Sequence, residues 1–95
     1  MSLFYVDLVD DGDSFHIQGG WQWDNKKGER VRIANYNAPE RGQPGYQEAK
    51  RRLESLILRK SVELRAKAID TYGRLVADVY IDGENVVDLL MTPTR

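Results

Sequence analysis

Between Phe15 and Trp23 the apolar residues Phe15, Ile17, Trp21 and Trp23 hold odd positions, and their even neighbours are mostly polar. This is the period-two pattern of a strand with one buried face. Gly19-Gly20 falls inside the run. A glycine pair within a strand marks a bulge or bend, as a strongly curved sheet requires. Phe4 to Val9 reads as a preceding strand, broken at Asp10-Asp11-Gly12, and Asp24 to Gly28 as a turn. Arg30 to Tyr36 then returns as a third strand.

Pro44 opens a helical segment in which Tyr46, Ala49, Leu53, Leu56 and Ile57 recur on one face. Glu48 in its first turn and Arg59-Lys60 at its end suit the helix dipole. Val62, Leu64, Ala66 and Ala68 alternate with charged residues in a fourth strand. Asp70 to Gly73 turns the chain, Leu75 to Ile81 forms a fifth strand, and Asp82-Gly83 turns again. Asn85 is placed to cap a short helix from Val86 to Met91. Three strands, a helix, two strands and a short helix follow the element order of an OB-fold, a five-stranded barrel with helices in the α+β class. No repeat or linker interrupts residues 1–95, which read as one domain.

Composition narrows the chemistry. The chain has no cysteine and His16 as its one histidine, which removes disulfides, thiolate catalysis and cysteine- or multi-histidine metal sites. Any metal would need oxygen ligands and so be calcium or magnesium. The net charge of −1 argues against a generally basic nucleic-acid binder. Charge is nonetheless segregated: Asp7 to Asp13 holds four of 15 acids, and Lys50 to Lys67 seven of 14 bases. Apolar runs are far shorter than the roughly 20 residues of a membrane span. Asp7, Asp10 and Asp11 interrupt any apolar stretch of a leader, so a cytoplasmic location is expected unless a leader has been removed.

Three polar clusters fall at strand ends or turns: Asp10-Asp11-Gly12-Asp13-Ser14, Arg32 with Asn37-Ala38-Pro39-Glu40, and Asp70-Thr71-Tyr72-Gly73-Arg74. Singly, each reads most simply as a turn. An EF-hand register for the first, with Gly12 at the sixth position, puts Val9 and Gln18 where oxygen ligands and the bidentate glutamate are required, and fails.

Taken together, the clusters resemble the staphylococcal nuclease family. The resemblance rests on Val9-x-Asp11-Gly12-Asp13-Ser14-Phe15, Val31-Arg32-Ile33 leading to Ala38-Pro39-Glu40, Gly45-x-x-Glu48-Ala49, and Asp70-x-Tyr72-Gly73-Arg74-x-x-Ala77-x-Val79-Tyr80. These motifs stand in the family's order from about Val6 to Leu90. The resemblance implies a calcium-dependent hydrolase of DNA and RNA phosphodiesters, acting on single-stranded nucleic acid without sequence specificity. It implies Asp13, the side chain at position 37 and the carbonyl of Ala38 as metal ligands, and Glu40 as acceptor of a proton from the attacking water. Arg32 and Arg74 would hold the phosphate, Tyr72 would lie along the substrate, and Asp70 and Asp11 would support the site. The chemistry asks for such residues: guanidiniums and a cation neutralise charge growing on the phosphoryl oxygens, and a carboxylate activates water.

Position 37 departs from the family, with asparagine where aspartate is usual. The amide oxygen still suits calcium, but a negative charge is gone, and affinity follows ligand charge. The segment from Glu40 to the helix is short beside the prototype's loop. The chain stops at Arg95 without a further helix, which predicts a marginal fold aided by nucleotide, metal or a partner chain. Dimerisation is left open. Two rival readings stand: a catalytically weak or inactive relative that binds nucleic acid or protein, and an OB-type fragment of a larger protein. Trp21 and Trp23 share the face of Phe15 and Ile17 and read as core or barrel-end packing. His16 reads as solvated, and the Lys50-Arg51-Arg52 run as the wet face of the helix rather than a nucleic-acid groove.

Overall fold

The computed structural model of the chain describes residues 2–92; the chain end at Arg95, on which the expectation of a marginal fold rested, lies outside them. Six strands and two helices follow in the order β1 (Phe4–Asp11), β2 (Ser14–Trp23), β3 (Lys26–Ile33), α1 (Tyr46–Ile57), β4 (Ser61–Ile69), β5 (Leu75–Ile81), β6 (Glu84–Asn85) and α2 (Val86–Met91). β1 pairs antiparallel with β2 and, through Phe4 and Tyr5, with β4. β2 pairs with β3 and β4 with β5. A parallel β3–β5 pairing, Val31 opposite Leu75 and Ile33 opposite Ala77, closes the circle. The result is a closed five-stranded mixed barrel with two short helices, the OB-fold anticipated from the element order. No described helix is long and apolar enough to cross a membrane.

The curvature comes from where the glycine pair sits. The register of β2 against β3 shifts between His16 and Trp21, and Gly19 and Gly20 there have φ of 81° and 73°. A side chain on Gly20 would stand 2.6 Å from the carbonyl oxygen of Gly28. Irregularities in β1 have a similar effect on its faces. A register shift falls between Val6 and Leu8, so Val6 and Val9 are both buried while Leu8 is exposed.

Phe15, Ile17, Val31, Ile33, Ala77 and Val79 fill the barrel, and Leu53 and Ile57 of α1 cap it beside β1. Trp21 is buried and donates from its indole nitrogen to the Arg30 carbonyl (2.8 Å), the core placement its face implied. Trp23 is half-buried against the core. Asn85 caps α2, its side-chain oxygen accepting from the Val87 amide at 2.9 Å.

Three boundaries differ from expectation. The β2–β3 turn is only Asp24-Asn25, both in the left-handed region (φ 53° and 62°) that a two-residue hairpin turn demands. β3 therefore starts at Lys26 and ends at Ile33, before Asn35 (φ 61°) turns the chain. Arg59 and Lys60 lie beyond the helix, where Arg59 (φ 62°) donates its amide to the Val6 carbonyl. Ala68 is exposed, because a bulge between Ala66 and Ala68 breaks the alternation of β4.

Candidate active site

Asp11, Asp13, Arg32, Asn37, Ala38, Pro39, Glu40, Gln43 and Arg74 line one cavity of about 390 Å³. Four separate stretches supply them: the β1–β2 turn, β3, the loop after β3, and the turn into β5. Barrel closure is what makes this possible, since the β3–β5 pairing sets Arg32 beside Val76 and so near Arg74.

The acidic wall depends on Gly12. A Cβ built there would lie 2.6 Å from the Ala38 Cβ and 2.8 Å from the Ala49 Cβ. Only glycine lets the β1–β2 turn, the loop after β3 and α1 meet this closely. On either side of it, Asp11 Oδ1 accepts from the buried Ser14 hydroxyl at 2.7 Å, and Asp13 Oδ2 accepts from the Ala38 amide at 3.0 Å. Burial and a hydrogen bond shared with Asp11 push the Asp13 carboxyl above its ordinary 3.8, against the pull of the Ala38 amide and Arg32. Burial also acts to raise Asp11, but hydrogen bonds from Asp13 and Ser14 outweigh it and hold Asp11 low.

Arg32 bridges the two walls. Its Nη1 donates to the carbonyls of Ile33 (2.8 Å) and Tyr36 and stands 3.5 Å from Asp13 Oδ2, while Nη2 donates to Asn37 Oδ1. Arg74 is fixed by Asp70, whose Oδ2 accepts from Arg74 Nε at 2.8 Å. Asp70 Oδ1 accepts from the amides of Tyr72 and Arg74, both at 2.9 Å, and so shapes the turn as well. Burial alone would raise Asp70, yet the Arg74 and Tyr72 hydrogen bonds and the Arg74 charge bring it below 3.8.

Asp70 therefore stands behind the cavity and not in its lining. Tyr72 is outside it too: the residue is 71% exposed, with the Arg74 guanidinium 5.4 Å from its ring centroid. Glu40 is exposed, and its carboxylate has no hydrogen-bond or ion-pair partner among the described residues. His16, expected to be solvated, is half-buried with Nε2 2.9 Å from Asp10 Oδ2.

Two polar residues were missed in the sequence. Gln43 Oε1 accepts from the Glu40 amide at 2.7 Å, and the Gln43 amide donates to the Glu40 carbonyl at 2.9 Å, clasping the Glu40 loop. Arg30 donates to the Tyr72 carbonyl, tying β3 to the turn that carries Arg74. Arg30 has no local signal, since its partner is set by the tertiary fold. The Gln43 contact is local, three residues from Glu40, but glutamine is not among the side chains that mark a turn.

Among the described residues no group of three or more His, Asp or Glu side chains is gathered for a metal. The oxygen donors present are nonetheless of the kind a hard cation takes: the Asp13 carboxylate, the Asn37 amide oxygen and the adjoining Ala38 main chain, with Asp11 beside them.

The family of staphylococcal nuclease homologues matches residues 30–92, which takes in Arg32, Asn37 to Glu40 and Asp70 to Arg74. A micrococcal nuclease of Shigella flexneri is 41% identical over 56 residues, 59% of this chain and 32% of that protein. An uncharacterized endonuclease of Haemophilus influenzae is 39% identical over 57 residues, 60% of this chain and 32% of the relative. A probable endonuclease of Podospora anserina is 36% identical over 104 residues, 84% of this chain and 38% of its own. The chain thus spans about a third of the length of these relatives.

Proposed function

The chain belongs to the staphylococcal nuclease family, and from that premise we propose that it hydrolyses phosphodiester bonds of single-stranded DNA and RNA with calcium. The observation that carries the reading is the convergence of Arg32, Arg74 and Glu40 with Asp13 and Asn37 on one cavity. The calcium would be held by Asp13, Asn37 and the Ala38 carbonyl, and would supply positive charge beside the phosphate.

The chain's own groups do the rest. Arg32 and Arg74 approach the cavity from different strands, and both are held by carboxylates or carbonyls before substrate arrives. Their planar donors match phosphoryl oxygens, and pre-positioned donors stabilise the charge that grows there as water attacks. Glu40, with no partner to neutralise it, accepts the proton of that water. The water oxygen bonds to phosphorus, the ester P–O bond breaks, and the leaving oxygen takes a proton from solvent. Tyr72, exposed at the rim, offers a stacking or sliding surface to the adjacent nucleotide.

Incubation of circular single-stranded DNA with millimolar calcium, set against the same reaction in chelator, tests this reading. Calcium-dependent linearisation supports it, and intact circles with folded protein refute it. One observation favours a second reading, a non-catalytic module that binds nucleic acid: the Asn37 oxygen is turned to Arg32. Binding without linearisation is the outcome that selects it.

A further inference from the structure

Beside the cavity just described lies a larger cleft of about 720 Å³, between the loop after Glu40 and the first turns of α1. Its lining carries three cations, Arg41, Lys50 and Arg51, against one carboxylate, Glu48. Tyr46 forms part of its floor, with the Arg41 guanidinium 5.9 Å from the ring centroid and the Tyr46 hydroxyl anchored to the Asp10 carbonyl at 3.1 Å. Gly45 provides no side-chain cap to α1, and the first turn of the helix, Tyr46 to Glu48, lines the same cleft. Arg52, next in sequence, is directed elsewhere: it donates to the Leu89 carbonyl at 3.1 Å. The basic run is thus divided by the helix into two cleft residues and one that clamps α2.

Gln43 lines both spaces, and it is the residue that clasps the Glu40 loop. The cleft therefore adjoins the cavity at Gln43, on a chain whose net charge is −1. We propose that this cleft is a second subsite for the phosphodiester backbone of single-stranded nucleic acid. It binds phosphates beyond the one at Arg32 and Arg74 and favours longer strands over short ones. The inference rests on the nuclease reading for the identity of the polyanion, but it concerns binding rather than cleavage. Its charges are exposed or half-exposed, so contacts here act by counterion release, about 0.7 in salt slope for each single-strand phosphate.

The test is fluorescence anisotropy in chelator, with a dinucleotide and an octanucleotide of single-stranded DNA, from 50 to 200 mM salt. The variant is the triple Arg41→Gln, Lys50→Gln, Arg51→Gln, checked for an unchanged melt. With three contacts removed, its octanucleotide salt slope should fall by about 2. Wild-type affinity should then drop about 20-fold more than the variant's across that range, while dinucleotide binding stays equal. A variant that keeps wild-type affinity and slope on the octanucleotide overturns the inference, as does a wild type whose affinity does not grow with strand length. Cleavage is read separately: length-dependent binding without calcium-dependent cleavage sinks only the nuclease reading, and cleavage without length dependence sinks only the cleft.

Discussion

Gly12→Ala is the smallest change that should disable the site without touching a polar group. The new methyl would stand 2.6 Å from the Ala38 Cβ and 2.8 Å from the Ala49 Cβ, with the Ala49 carbonyl carbon at 3.3 Å. Carbon atoms pack at about 3.5–4.0 Å, so the overlap is about 1 Å. Neither neighbour can rotate away, because an alanine methyl moves only with its backbone. Overpacking of this kind costs about 1–3 kcal/mol, which in a domain of this size lowers Tm by about 4–8 °C per kcal/mol. Relief requires the Asp11–Asp13 turn to draw back from Ala38. A displacement of about 1 Å in a reacting geometry costs about 100-fold in rate. Differential scanning calorimetry and an initial-rate cleavage assay read the two effects. The double variant Gly12→Ala, Ala38→Gly removes the shorter overlap and should recover part of both. A single variant with wild-type Tm and rate would refute the argument that close approach is why glycine stands here.

Asn37→Asp restores the family's usual charge and should tighten calcium binding by about 1–3 kcal/mol, the carboxylate's gain being partly offset by desolvation; titration calorimetry showing no gain would contradict this. Asp70 has a pKa held below 3.8, so its contribution to stability is complete above the unfolded-state value. It is lost as pH falls through the lower folded-state value. Asp70→Asn should therefore lower Tm at pH 7 and flatten the acid limb of the Tm–pH profile below about pH 4; a parallel-shifted profile would show that Asp70 holds the turn without its charge.

Much of this fold was legible because its signals were local. The alternation from Phe15 to Trp23, the Gly19-Gly20 interruption and the helical face of Tyr46, Leu53 and Ile57 each state a local geometry that the barrel keeps. The tip of the β2–β3 hairpin was not legible. Lys26, Lys27 and Glu29 are all exposed, and a strand wet on both faces has no alternation to read. Ala68 was misread for a related reason, since a bulge reverses the face of what lies beyond it. In the site, Asp13, Arg32, Glu40 and Arg74 were implied by the resemblance to the staphylococcal nuclease family and not by any one cluster alone. Arg30 stayed hidden because its partner, a carbonyl 42 residues away, reaches it only once the barrel closes. Gln43 acts three residues back on the Glu40 amide, but glutamine is not among the side chains that mark a turn. The hydrogen bond from Arg32 to the Asn37 amide oxygen was equally invisible, and it gives the departure at position 37 a structural consequence besides lost charge.

The central claim is that the cavity is catalytic, with Glu40 as the proton acceptor. Its most direct test is the initial rate of single-stranded DNA cleavage at millimolar calcium for the wild type and Glu40→Gln, at matched melt and matched oligonucleotide affinity. Calcium-dependent cleavage by the wild type and a loss of about 100-fold or more in the variant are expected. Equal rates in the two proteins, or no cleavage by folded wild type, would contradict it.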